Sequence, residues 1–141
     1  MVIDKLQNAI VSTYTGATSL VSATSGGIHY DTAPEGQTGD YIVYEIPDSG
    51  ELDQGYNGSQ SSDALVIFRV IATGNGTTSG RQKGITIMGL LLTAFNTTLS
   101  LTGGTNFSMY QVSEPVGIPL PADQNKQDVH QWSVPFNYSI E

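Results

Sequence analysis

Two histidines, His29 and His130, are the only imidazoles in this 141-residue chain, and cysteine is absent. Thiol catalysis, disulfides and cysteine-ligated metals are therefore excluded. His130 stands two residues before Trp132, so it shares the apolar face of a strand and reads as a structural or surface residue. Eight carboxylates lie between Asp31 and Asp63, with no basic residue among them. Oxygen ligands of that kind suit calcium, but the DxDxDG spacing of a calcium loop is missing. Carboxylate pairs for glycoside hydrolysis can be drawn from the same run only arbitrarily. No GxSxG, GxGxxG, Walker A or HExxH motif occurs. The expectation is a protein that is not an enzyme, with no catalytic residue, cofactor or metal.

Charge and hydropathy narrow the partners. Thirteen acidic residues against five basic ones give a net charge of −8 at pH 7. The basic residues form no cluster, so the footprint of a nucleic-acid or anionic-membrane binder is missing. An acidic wall can still surround DNA, guiding the duplex by repulsion without gripping it. The opening MVIDKLQNAI has an early acidic residue and no apolar h-region, so no signal peptide is read there. The longest apolar run, Ile85 to Phe95, is too short to span a bilayer. Five Asn-X-Ser/Thr sequons, at Asn57, Asn75, Asn96, Asn106 and Asn137, are what a Ser/Thr-rich chain produces by chance.

The length suits one domain over 1–141. Val2, Leu6, Ala9, Ile10 and Thr13 recur at helical spacing, predicting an amphipathic helix closed at Gly16. Thr18 to Ala23 adds a further helical turn, and Ile28 to Tyr30 a brief extended piece. Asp31 to Asp40, with Pro34, Gly36 and Gly39, reads as an exposed loop. Tyr41 to Ile46 is a strand with Ile42, Tyr44 and Ile46 on one face and Glu45 on the other. A long polar loop follows over 48–62, a length that is usually functional.

Asp63 to Thr73 is apolar on both faces, which marks a central strand covered on both sides, or on one side by a neighbouring subunit. Arg69 is the exception, a rim residue or half of an interface ion pair. Ser79 to Asn96 carries Ile85, Met88, Leu92 and Phe95 at helical spacing. Gly84 and Gly89 weaken that helix by propensity or mark close packing against the sheet. Phe107 to Ser113 reads as a strand, and the stretch from Pro115 to Gln127 as turns. Strict alternation from Trp132 to Ile140 predicts a half-buried strand, at an edge or bulged at Pro135. The expected fold is α+β: about four strands, mixed or antiparallel, with two main helices packed against them. Candidate interface residues are Glu51, Asp53 and Tyr56 in the polar loop, Arg69, and Trp132.

In this order the segments IDKLQNAIVSTY, IHYDTAPEGQTGDYIVYEI, ALVIFRVIAT, the helix ending at Phe95 and WSVPFNYSI resemble the small phage tail terminator, or tail completion, proteins. The resemblance spans nearly the whole chain as an ordered pattern of individually weak motifs. It implies a sheet with helices on one side and assembly with copies of itself into a ring, typically a hexamer. The ring would sit at the head-proximal end of the tail tube, stop tube polymerisation and meet the head–tail connector. Expected partners are therefore self, the tail tube protein and the connector protein. DNA would pass through without specific binding, and no membrane is involved. The protein would be assembled in the host cytoplasm and reside in the virion. A neck adaptor or tail tube subunit of similar small α+β fold is the alternative. The helix after ALVIFRVIAT is poorer in Ala and Arg than is usual in that family.

Overall fold

The computed structural model describes residues 2–47, 64–100, 106–121 and 128–140. Helix α1 runs Val2–Gly16 and places Leu6, Ala9, Ile10 and Tyr14 on one buried stripe. This is the i, i+3, i+4 pattern that lets a helix bury a single face. Helix α2 (Thr18–Ala23) contributes Leu20 to the same core. The two are tied at their ends by buried polar groups. Tyr14 Oη and Thr24 Oγ1 lie 2.6 Å apart, and Thr24 Oγ1 donates to the Leu20 carbonyl at 2.7 Å. Both hydroxyls are thereby satisfied, which removes the penalty of burying them.

Helix α3 (Gly80–Phe95) begins at Ser79, whose Oγ accepts the Gln82 N–H at 3.1 Å. A second acceptor serves the same end: the Gly80 N–H donates to Asp128 Oδ2 at 2.7 Å. A carboxylate there satisfies an orphan N–H and complements the positive end of the helix dipole. Ile87, Met88, Leu91 and Phe95 form its buried face.

The strands are β1 (Ile28–Tyr30), β2 (Tyr41–Glu45), β3 (Ala64–Thr73), β4 (Thr98–Ser100), β5 (Asn106–Gln111), β6 (Val116–Leu120) and β7 (Val129–Ile140). They form one curled, half-barrel sheet in the order β1-β2-β3-β7-β5-β4, with β6 also pairing β7. Strands β1 and β2 pair in parallel; the other pairings among the described residues are antiparallel. All three helices bury one face of this sheet. That core holds Ile42 and Tyr44 of β2, Val66, Phe68 and Val70 of β3, Phe107 of β5, and Val134, Phe136 and Tyr138 of β7. Each fully buried side chain of this size contributes roughly 1.5–3 kcal/mol of transfer free energy.

The sequence expectation of about four strands and two main helices is corrected to seven strands and three helices among the described residues. Two of the added strands have identifiable causes. Strand β4 is three residues long and too short to show alternation, and β6 lies inside a segment whose two flanking prolines suggest turns. The expected edge at Pro135 is corrected, since the strand is central; the ladder on one of its sides is nevertheless locally irregular there, with residues 112–115 opposite 134–135. Strand β7 is central, pairing β3 without interruption from Ala64↔Tyr138 to Thr73↔Val129. On its other side it pairs β5 through Phe136–Ile140 and β6 through Val129–Ser133. Pro135 stands at the junction of these two partners. Its carbonyl accepts the Val112 N–H at 3.0 Å. In an antiparallel ladder the reciprocal bond would come from the N–H of residue 135, which proline lacks. The ladder ends on that half-rung, and after residues 112–115 the chain rejoins the same side of β7 as β6.

Candidate functional site

Among the described residues, the helices leave the second face of the sheet uncovered. In-register partners share a face, so this side carries Tyr41, Val43 and Glu45 from β2 and Leu65, Ile67, Arg69 and Ile71 from β3. It continues through Gln131, Ser133, Pro135 and Asn137 of β7 to Tyr110 of β5 and to Val116, Ile118 and Leu120 of β6. Tyr110, Val112, Val116 and Ile118 are 47%, 49%, 60% and 45% exposed, high values for side chains of their size. Four exposed large apolar groups, on two strands that follow one another along the same side of β7 and on their connection, form a continuous patch, unlike the scattered exposed valines common on protein surfaces. Asn137 Nδ2 donates to Tyr110 Oη at 3.2 Å and fixes the ring against β7.

At the other end, the loop 31–40 borders the face. Asp31, Pro34 and Gln37 of the loop, with Tyr41, Val43, Arg69, Ile71 and Gln131, line an open groove of about 460 Å³. Val43 and Ile71 are buried here although no described helix lies above them. Among the strand residues of this face the charged side chains are Glu45 and Arg69, and they form an ion pair with each other. Arg69 is 31% and Glu45 28% exposed. Arg69, expected at a rim or in an interface pair, is therefore bound within the subunit, and the described strands of this face carry almost no net charge.

A second polar cluster lies at the sheet end nearest the start of α3. Asp40 is buried; its Oδ1 accepts the Thr73 N–H at 3.0 Å and its Oδ2 lies 2.8 Å from Lys83 Nζ. Lys83 Nζ also donates to the Thr73 carbonyl at 2.9 Å. These contacts clamp α3, the end of β3 and the loop 31–40 together beside a cleft of about 480 Å³. Every atom named is engaged, so the cluster reads as a structural clamp and offers no free nucleophile or base.

The remaining sequence candidates are widely separated. His29 Nε2 is 2.8 Å from the Gly26 carbonyl, and the ring packs edge-on to Tyr41. His130 packs beside Trp132, 5.3 Å between ring centroids. Trp132 faces the helix layer, where its indole is held between two glycines. A Cβ at Gly84 of α3 would lie 2.7 Å from Trp132 Nε1, and one at Gly117 of β6 would lie 2.8 Å from Cε2. Gly89, by contrast, has nothing within 4 Å of a Cβ. The indole N–H is buried with no hydrogen-bond partner among the described residues. The interface candidates Glu51, Asp53 and Tyr56, with the rest of the loop 48–62, lie outside the described residues.

The Tyr44 phenol has a markedly displaced acidity. Burial, reinforced by Tyr30 and by the carboxylate of Asp31, pushes it up to about 12. No cluster of three or more potential metal ligands occurs among the described residues. Among them, too, no helix is long and apolar enough to cross a membrane. The chain matches no protein-family model and no curated protein.

The apolar patch on β5 and β6 is the feature that sequence reasoning missed. Its signal was present as the alternation Val116-x-Ile118-x-Leu120, with Gly117 and Pro119 between. Pro119 concealed it, because proline inside an apolar run argues against a central strand. Here β6 is paired only with β7 among the described strands, so its outer edge tolerates a missing donor.

Proposed function

We propose that this chain is a structural virion subunit that forms a ring at the head-proximal end of a phage tail tube, ending tube polymerisation and joining the tail to the head connector. The reading rests on the ordered sequence resemblance. The observation that supports it best is that, among the described residues, the helices lie on one face of the sheet and the other is an apolar surface whose strand charges cancel. A self-sufficient binding module would be expected to hide such a face, whereas an assembly subunit needs surfaces that are not solvent-like. The polar groups of the Asp40–Lys83 clamp are consumed in holding the fold, and the histidines stand apart. Both features suit a scaffold better than a catalyst.

The test is the mass of the purified protein by light scattering, with negative-stain imaging of the same sample and of the sample mixed with tail tubes. Closed rings that bind tube ends are the expected result. Open-ended tubes formed by this chain alone would refute the terminator role and move it to a tube subunit.

A further inference from the structure

We infer that the open sheet face centred on Tyr110, Val112, Val116 and Ile118 is the surface through which one copy of this chain binds a second copy. The inference rests on the assembly reading above and assigns that assembly a particular contact.

Size is the first argument. Strand β7 has twelve residues. At about 3.3 Å per residue it is ~40 Å long, and with β3 on one side and β5 and β6 on the other the face is about 10–15 Å wide. The projected area is about 500 Å² on the same spacings, and the accessible area of a side-chain surface exceeds its projection. A stable contact takes roughly 800 Å² from each partner. The face therefore supplies most of one side of an interface, with the four exposed apolar groups at its densest part.

Charge selects the occupant. Each copy carries −8, so two copies repel over most of their surfaces. They can approach closely only where charge is locally cancelled, and the Glu45–Arg69 pair cancels it within the strands of this face. Asp31 on the groove rim and Glu114 in the β5–β6 connection leave a modest acidic border. A basic partner would be matched by an acidic face, whereas the described strands of this one carry a cancelled pair.

The edge of β6 points the same way. Pro135 turns its carbonyl toward the β5–β6 side, so by alternation Gln131 and Ser133 do so as well. Their partners Ile118 and Val116 then bond inward, leaving Gly117 and Pro119 to face outward. Pro119 has no N–H, so the outer edge of β6 lacks a donor that strand addition requires. The contact is therefore made by side chains on the face, without extension of the sheet.

The absence of cysteine allows a clean test. A single Val116→Cys replacement on β6 is followed by thiol-labelling rate as protein concentration rises, alongside light scattering. Labelling should slow at least tenfold once oligomers form. Val116→Asp should leave circular dichroism unchanged and lower the association constant at least a hundredfold. Because the contact is apolar and the copies repel, association should strengthen from about 50 to about 500 mM NaCl. Three results overturn the inference. If oligomers form while the introduced thiol labels at the dilute rate, or if salt dissociates them, the contact lies elsewhere and the ring reading survives. If the wild-type chain stays monomeric at all concentrations and salts, the second copy is not the occupant and unaided ring formation falls with it.

Discussion

Replacing each of two glycines in α3 by alanine should move stability in opposite directions. Gly89 is exposed and a Cβ there meets nothing. Alanine gains about 1 kcal/mol of helix propensity at such a site, so Gly89→Ala should stabilise by about 0.5–1 kcal/mol. The same gain at Gly84 is opposed by the indole of Trp132. A Cβ there would meet Trp132 Cδ1 most closely and lie 2.7 Å from Nε1, at least about 1 Å inside ordinary contact distance. Gly117 on β6 also lies against the indole, which limits the ring's retreat. Overpacking of this kind costs roughly 1–3 kcal/mol, and a ring driven from its seat would lose about 2 kcal/mol of burial.

The net expectation for Gly84→Ala is a loss of about 1–2 kcal/mol, or about 3–8 °C in Tm for a domain of this size. Urea unfolding followed by far-UV circular dichroism measures both variants, with the slope checked for constancy. In a Trp132→Leu background the cost of Gly84→Ala should shrink by at least about 1 kcal/mol, since the obstacle is gone. Equal shifts of the same sign for the two alanines, or no coupling to Trp132, would refute the argument.

Three further outcomes are expected. Tyr44 keeps its proton to about pH 12 when folded but loses it near the ordinary tyrosine value of 10.0 when unfolded. Its contribution is thus full below about pH 10 and lost between about 10 and 12, by up to roughly 2–3 kcal/mol; comparing wild type with Tyr44→Phe from about pH 8 to about pH 11.5 should isolate that slope. Lys83→Met leaves the buried Asp40 carboxylate without its cation and should destabilise by about 2–4 kcal/mol in urea titrations, and a loss below about 0.5 kcal/mol would contradict the clamp. Replacing Glu45 and Arg69 together by Gln and Met should cost about 1 kcal/mol or less, since the pair is nearly a third exposed, and light scattering should show whether self-association persists.

What could be read from the sequence followed from how strongly each segment repeats its pattern. Ten residues of β3 apolar on both faces, the four-residue spacing of α1 and the alternation of β7 each leave one structural solution. The same patterns are silent on pairing order. Nothing in WSVPFNYSI says that it lies between ALVIFRVIAT and two shorter strands. Pro135 suggested an edge, because a missing donor is normally left facing solvent. Here it faces the gap where one neighbour ends and another begins, an arrangement that depends on Val112 and on residues of β5 and β6 far from it in the chain. Arg69 stood out as an anomaly on an apolar face, but its answer, Glu45, lies on a different strand 24 residues earlier. Trp132 was identifiable as a face residue of its strand. Its seat between Gly84 and Gly117 required knowing that α3 and β6 converge on it.

The position of β7 has a consequence for how the molecule comes into being. It is the last of the described elements in chain order, yet it joins β1-β2-β3 to β5-β4 and to β6. As the polypeptide is synthesised, two partial sheets wait with unpaired edges until residues 129–140 emerge. Their contacts reach as far as that between Ala64 and Tyr138, a separation of 138 − 64 = 74 positions, so closure is slow on the scale set by sequence separation. During that interval β3, apolar on both sides, is the segment most exposed to mispairing. A ribosome-bound chain stopped before residue 129 should therefore be protease-sensitive throughout the strands, and release of the remaining residues should convert the whole sheet to the protected state in a single step.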